Sequence, residues 1–376
     1  MRTIKCWEEL QMSSTWNRTL KLSIFGESHG PAIGMTLDNL PAGEEIDLEE
    51  LCRFTGRRTA KKGDSISTAR TEPDLPEIVS GFYQGKTTGT PLTGMIRNTD
   101  TRSGDYGDIE HLARPGHADY TGQVRYHSAN DLRGGGHFSG RLTAPLTLAG
   151  GICKQILERR GIIIASHVLS IKDVSEERFD SVNLSLETAK ELQTMQFPLL
   201  NPSMEEKMRA VIETARLSQD SVGGIIECCV LGLPAGIGSP MFDGIENVLS
   251  SIVFGIPAVK GIEFGEGFGS SQLLGSENND SFYLEKGRVK THTNRHGGIL
   301  GGISSGMPIV FRTAIKPTPS ISQPQRTIDT KLMQEAELSV RGRHDPCIAV
   351  RAAVVIEAAA NIAILDLMME HGRITL

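Results

Sequence analysis

The chain has 376 residues and a net charge of −6, with 39 Lys and Arg against 45 Asp and Glu. That balance excludes a global basic field for nucleic acid, so any anion site must be local. Glycine is abundant at 41 residues while aromatics make up only 5%, a composition that forecasts many tight turns and close backbone approaches.

The six cysteines, Cys6, Cys52, Cys153, Cys228, Cys229 and Cys347, show neither a CxxC pair nor zinc spacing, which favours a reduced, cytosolic protein without a bound metal. No signal-peptide pattern opens the chain and no run of about 18 or more apolar residues occurs, so no membrane association is expected. Length alone leaves one large domain or two open. The lack of a linker, and motif-like segments spread from residue 26 to residue 347, favour one α+β domain with substantial sheet around buried helices.

Residues 1–18 carry no clear period. The alternation Leu20, Leu22, Ile24 then predicts a strand running into Gly26-Glu27-Ser28-His29-Gly30, with His29 at its end. Ile46, Leu48, Leu51 and Phe54 give a short amphipathic pattern over 47–55, followed by a basic, turn-prone segment at 56–63. The stretch 81–87 fails the nucleotide P-loop spacing because position 80 is serine. The glycine-rich segments 113–120 and 132–141 carry an imidazole, hydroxyls and guanidiniums, the chemistry needed to handle a phosphorylated anion.

Ser139 is expected to cap a helix over 141–160, and Ser203 with Glu206 to form a capping box. Residues 225–231 and 307–314 read as strands, the first burying Cys228 and Cys229. Gly265 to Gly269 misses the dinucleotide spacing and reads as a turn, and His292 and His296 lack the glutamate of a helical zinc motif. Lys316-Pro317-Thr318-Pro319-Ser320 follows a strand and suits a phosphate. The segment 346–371 is apolar on nearly all sides and predicts a buried helix, with Asp345 as its N-cap and Pro346 at its first position.

His29 and His117 are the candidates for acid or base work, being presented on turns. Among Arg97, Arg102, Arg114, Arg125, Arg133 and Arg141, placement beside glycine, proline or histidine favours anion binding for some.

Taken in order, segments 25–31 (Phe-Gly-Glu-Ser-His-Gly-Pro), 85–91, 97–100, 114–120 (Arg-Pro-Gly-His-Ala-Asp-Tyr), 133–136, 220–224, 297–306, 316–320 and 342–347 (Gly-Arg-His-Asp-Pro-Cys) resemble the chorismate synthase family over nearly the whole chain. The resemblance implies helices sandwiched between antiparallel β-sheets, a homotetramer and a cytoplasmic location. It also implies anti elimination of phosphate from 5-enolpyruvylshikimate 3-phosphate to give chorismate. That reaction requires reduced FMN, with NADPH a candidate reductant. By the same resemblance His117 protonates the departing phosphate, His29 keeps the reduced flavin in its needed protonation state, and Asp345 assists removal of the substrate proton. Arg58, Arg114, Arg141 and Arg343 would bind substrate or neighbour the flavin. His137, Phe138, Ser139, Gly301, Lys316, Pro317, Thr318, Pro319, Ser320 and Arg343 would hold FMN.

Two segments depart from the family pattern. After the glycine triplet many members read Arg-Ser-Ser-Ala-Arg-Glu-Thr, where this chain has His137-Phe138-Ser139-Gly140-Arg141-Leu142-Thr143. After Arg57-Arg58 members usually offer a further arginine, where this chain has Lys61 and Lys62. The familiar family start falls at Met12 to Trp16, so residues 1–11 are expected to be a peripheral extension and 12–376 the catalytic domain.

Overall fold

Alternating apolar residues build two antiparallel sheets, and the computed structural model describes them within residues 14–60, 74–99, 111–340 and 345–374. The first sheet orders its strands Thr15–Asn17, Lys21–Gly26, Ala32–Asp38, Leu92–Arg97 and Pro76–Ser80, with every neighbour antiparallel. The second orders Val259–Phe264, Ile309–Ile315, Gly224–Leu231, Ile163–Ile171 and Val174–Ser175, again antiparallel throughout. Both strands expected at 225–231 and 307–314 are present. The edge strand at 15–17 has no counterpart in the sequence reading, because three residues are too few to show a period.

Two helices fill the space between the sheets. Thr143–Glu158 lies against the first sheet and Ala349–Glu370 against the second, and the two helices pack on each other. Their closest approach is at Gly150, where an added Cβ would sit 2.3 Å from the Cα of Ala358. The expected sandwich of helices between antiparallel sheets is therefore what the chain forms. One extensive apolar cluster runs from Leu20 and Met35 of the first sheet through both helices to Cys228 and Phe311 of the second. The helix Ala349–Glu370 is long and apolar enough to cross a membrane, but it is buried between the sheets. Its three buried polar side chains are held within the protein. Glu357 takes a bidentate pair from Arg57 at 2.5 and 2.8 Å, Asp366 accepts from Arg18 at 2.7 Å, and Asn361 donates to the Glu357 carbonyl at 2.8 Å.

Three local expectations need correction. Ser139 caps only a single 3-10 turn, Gly140–Leu142, and the α-helix proper starts at Thr143. Ser203 precedes Met204–Leu217 but forms no capping box, because its hydroxyl donates to Asn201 at 2.7 Å. Asp345 does not cap the last helix, which begins at Ala349 after Ile348; its carboxylate instead accepts from Arg351 at 2.7 Å. The short helix Leu48–Gly56 is capped by Asp47, whose carboxylate accepts from the amides of Glu49 and Glu50. Residues 82–87 form a tight hairpin, with Gln84 and Gly85 both at positive φ. That agrees with rejecting a P-loop. Residues 1–11, Lys61 and Lys62 lie outside the described residues.

Candidate active site

The strand Lys21–Gly26 runs into a turn carrying Ser28 and His29, which docks on a loop from the opposite side of the chain through Ser28 N–H to Gly136 O at 3.1 Å. Gly134, Gly135 and Gly136 all take the left-handed region, with φ of 59°, 86° and 53°. A side chain there would be strained, and space forbids one as well. A Cβ on Gly134 would stand 2.2 Å from Cε1 of His29, one on Gly135 3.0 Å from Nε2 of His117, and one on Gly136 1.9 Å from the Asp131 carbonyl. The two candidate histidines thus rest against consecutive residues of one glycine loop.

His117 closes a turn whose amide bonds back to the Arg114 carbonyl at 3.1 Å. Its Nδ1 lies 2.7 Å from Asp119 Oδ1, and Arg114 grips the same carboxylate through Nε at 2.7 Å and Nη2 at 2.7 Å. Burial alone would raise the Asp119 pKa, but the hydrogen bonds from Arg114 and His117 prevail and hold it well below the usual carboxylate range. The loop after strand Ile309–Ile315 closes over this turn. Lys316 Nζ donates to the Gly116 carbonyl, Arg114 Nη1 donates to Ser320 Oγ at 3.3 Å, and Ser221 Oγ donates to the Thr318 carbonyl at 2.7 Å. Burial, with the charge of Lys260 adding, lowers the Lys316 ammonium below the usual lysine range.

A second cationic cluster stands at the end of helix Leu48–Gly56. Arg58 donates to Asp74 at 2.5 Å, Arg141 donates to the other oxygen of Asp74, and Arg141 Nε also reaches Asn98 Oδ1 at 3.1 Å. Arg351, in the first turn of the last helix, donates from Nε to the Arg58 carbonyl and from Nη1 to Asp345, both at 2.7 Å. Burial pushes the Arg58 guanidinium down to about 10; Asp74 opposes the shift, and Arg351 and Arg141 add to it. Several guanidiniums against two carboxylates make this a locally positive hollow in an acidic protein.

These elements enclose one cavity of about 970 Å³. His29, His117, Asp345, Arg58, Arg114, Arg141, His137, Phe138, Ser139, Lys316, Thr318, Pro319 and Ser320 all line it, so most of the sequence-predicted site converges. Trp16, Leu22, Ile24, Ile252, Ile256 and Val355 add apolar side chains to its lining. Ligand pockets commonly span about 300–1,000 Å³, so this one has room for a cofactor with a substrate. Two buried polar atoms on its lining residues, Arg58 Nε and Thr318 Oγ1, have no hydrogen-bond partner among the described residues. A phosphorylated anion offers acceptors for such donors, and the apolar side chains of the lining suit a planar heterocycle such as that of FMN.

Some expectations fall elsewhere. Gly301 sits in the turn between strands Ile299–Leu300 and Ile303–Ser304 and is not among the cavity-lining residues, and Pro317 only flanks lining residues. Arg343 and Arg102 lie outside the described residues. Arg97 pairs with Glu77 and Arg133 with Asp131 on the surface, and neither they nor Arg125 line the cavity. His137 donates Nδ1–H to the Gly26 carbonyl at 2.8 Å and meets Ser14 Oγ at 2.6 Å, which fixes the ring at the cavity wall. Sequence reasoning gave no role to Asp74, Asp119, Asn98, Lys260 or Arg351. Asp119 lies within a segment already singled out, two residues from His117, and that spacing was the available signal.

Comparison with known proteins agrees with this geometry. A family model described as chorismate synthase matches residues 20–369. A chorismate synthase of Lancefieldella parvula is 46% identical over 366 residues, covering 94% of this chain and 96% of that protein. One from Pyrococcus abyssi is 46% identical over 351 residues, covering 93% and 96%. A crystal structure of chorismate synthase superposes with a TM-score of 0.74 at 28% identity, covering 94% of this chain and 92% of that one.

Proposed function

The chain belongs to the chorismate synthase family and is a lyase, and on that premise we propose that its cavity eliminates phosphate from 5-enolpyruvylshikimate 3-phosphate with reduced FMN bound, the last shared step of aromatic amino-acid biosynthesis. The observation that carries the reading is the pair of imidazoles on adjacent glycines, which line one cavity with Arg114 and Lys316 and with the Arg58–Arg141 pair. Elimination at an allylic carbon needs a protonated or clamped leaving group and an acceptor for a ring proton. When bound, reduced FMN supplies electron density to the allylic system as the leaving group departs.

The chain's own residues do the rest. With FMN bound, Lys316, Thr318 and Ser320 would hold its phosphate, and Trp16, Ile24 and Ile252 would shield its ring from water. Arg58 and Arg141 clamp an anionic group of the substrate, and the low-dielectric surroundings strengthen the attraction between them and that anion. His117 delivers a proton from Nε2 to the departing phosphate oxygen. His29, braced by Gly134, would keep a bound reduced flavin in its needed protonation state. Asp345, held by Arg351, assists removal of the ring proton. One proton enters the phosphate and one leaves the ring, so no net redox change results.

Buried, reduced thiols at Cys153, Cys228, Cys229 and Cys347 support a cytoplasmic setting. A homotetramer is the assembly to be tested by sedimentation velocity, where a monomeric enzyme at full activity contradicts it. The role of His117 is tested by His117→Ala, which is expected to lower turnover by about 10²–10⁴-fold while reduced FMN still binds. Turnover at the parent rate removes His117 from the mechanism. Adding oxidised FMN and NADPH in place of chemically reduced FMN tests whether the protein reduces its own cofactor.

A further inference from the structure

The strand Leu92–Arg97 runs beside Ala32–Asp38, with Arg97 opposite Ala32, and the next residue, Asn98, continues the pairing by donating its amide to the Pro31 carbonyl at 3.2 Å. The Asn98 side chain is thereby brought against the turn that carries His29. Its Nδ2 lies 3.1 Å from the carbonyl of Glu27 and 2.8 Å from that of Gly30, the two residues that bracket Ser28 and His29. Its Oδ1 lies 3.1 Å from Arg141 Nε. Carbonyls only accept and a guanidinium only donates, so this orientation of the amide is the one that satisfies all three contacts, with both Nδ2 hydrogens in use.

The two groups so joined come from distant parts of the chain. The His29 turn is held on one side by the glycine loop, through Ser28 N–H to Gly136 O at 3.1 Å, and on the other by Asn98. The Arg141 guanidinium is likewise held twice, giving Nη1 to Asp74 and Nε to Asn98. His29 and Arg141 both line the cavity, and Asn98 does not. Any effect of Asn98 on the reaction must therefore pass through those two neighbours. A substrate that rests an anionic group on Arg141 has its distance to the His29 turn set by the length of one asparagine side chain.

We infer that Asn98 is a positioning residue: from behind the cavity wall its amide clasps the His29 turn and aims Arg141, fixing the spacing between the imidazole and the guanidinium. The inference rests on the reading of His29 and Arg141 as groups of the reaction, and it holds whichever proton the imidazole handles. Alanine at this position leaves two turn carbonyls and the Arg141 Nε without their partner. Aspartate keeps an acceptor for Arg141 but sets a carboxylate oxygen against the Glu27 and Gly30 carbonyls, where neither side has a hydrogen to give.

The test uses the full-length enzyme with reduced FMN and substrate under anaerobic conditions, reading phosphate release. Asn98→Ala is expected to lower kcat by about 10²-fold, as the turn shifts, and to raise KM by about tenfold, as Arg141 loses a partner. Double-mutant cycles separate positioning from general stability. In a His29→Ala background Asn98→Ala should lower kcat no further, and in an Arg141→Ala background it should raise KM no further. Losses that add in either cycle mean that Asn98 acts by stabilising the fold at large, and they overturn the inference. If His29→Ala and Arg141→Ala themselves match the parent, the reading of the site fails and takes the inference with it. If both are impaired while folded Asn98→Ala keeps parent kcat and KM, the positioning role fails alone. Should Asn98→Ala not fold, Asn98→Asp, which is equal in size, decides: a kcat lower by about 10²-fold in the parent and no lower in the His29→Ala background supports the inference, and parent kcat overturns it.

Discussion

Gly134→Ala should disable the site while leaving the fold intact. At φ 59° the substitution places an L-residue in the left-handed region, which costs about 1–2 kcal/mol. The new Cβ would lie 2.2 Å from Cε1 of His29, where ordinary contact begins at 3.4 Å, so ring or loop must retreat by about 1.2 Å. A displacement of about 1 Å at a catalytic group is worth about 10²-fold in rate, or about 2.7 kcal/mol of transition-state stabilisation. The assay is phosphate release with reduced FMN under saturating substrate, beside urea unfolding. The expected result is a rate lower by about 10²-fold with stability lower by no more than about 2 kcal/mol. Gly275→Ala, a helical position with no atom within 4 Å of the added Cβ, serves as the control. Parent turnover in folded Gly134→Ala would refute the view that the glycine loop sets the place of His29.

Other consequences concern stability. Removing one member of the buried Arg57–Glu357 pair, as in Arg57→Met, should cost about 3–5 kcal/mol in urea unfolding, because Glu357 is left charged and fully buried; replacing both residues should recover part of the loss. Asp119, Asp74 and Glu227 have pKa values lowered in the folded state, each against the effect of burial, by their cationic partners. Their stabilisation is present above the ordinary carboxylate pKa of about 4 and fades as pH falls through the folded values, so unfolding free energy should drop on acidification and drop less in Asp119→Asn. His167 behaves oppositely. Burial would lower its pKa, but Glu176 and Glu227 raise it. Its stabilisation is full below about 6.5 and is lost as pH rises through the folded value; the stability gap between parent and His167→Gln should narrow in alkaline buffer.

The parts of the fold legible in the sequence were those encoded over short distances. The buried helix Ala349–Glu370 announces itself by apolar residues on every face, and Gly224–Leu231 by an apolar run broken only at Glu227. Capping was less legible because it depends on competition: Asn201 takes the Ser203 hydroxyl, and Arg351 takes Asp345, each against a locally reasonable cap. The order of strands within each sheet could not be read from periodicity, since it joins residues as distant as Gly224 and Ile315.

The site divides in the same way. Both histidines, the glycine triplet and the lysine loop were visible as turn-borne chemistry and by family resemblance. What remained hidden were the carboxylates between the cations. Asp74 unites Arg58 and Arg141, and Arg351 links Asp345 to the Arg58 carbonyl, through contacts spanning 16, 67, 6 and 293 positions. A sequence displays charges singly, and their neutralisation appears only when the chain closes on itself. Gly301 shows the converse, a glycine of a matching segment whose turn is not part of the cavity lining in a single chain.

The most direct test of the central claim is an anaerobic assay of the purified protein with 5-enolpyruvylshikimate 3-phosphate and chemically reduced FMN, following chorismate absorbance and released phosphate together. Equal formation of both, with no net flavin oxidation, is the predicted result. Flavin oxidised in step with substrate and without phosphate release, or ligand binding with neither product, would contradict it.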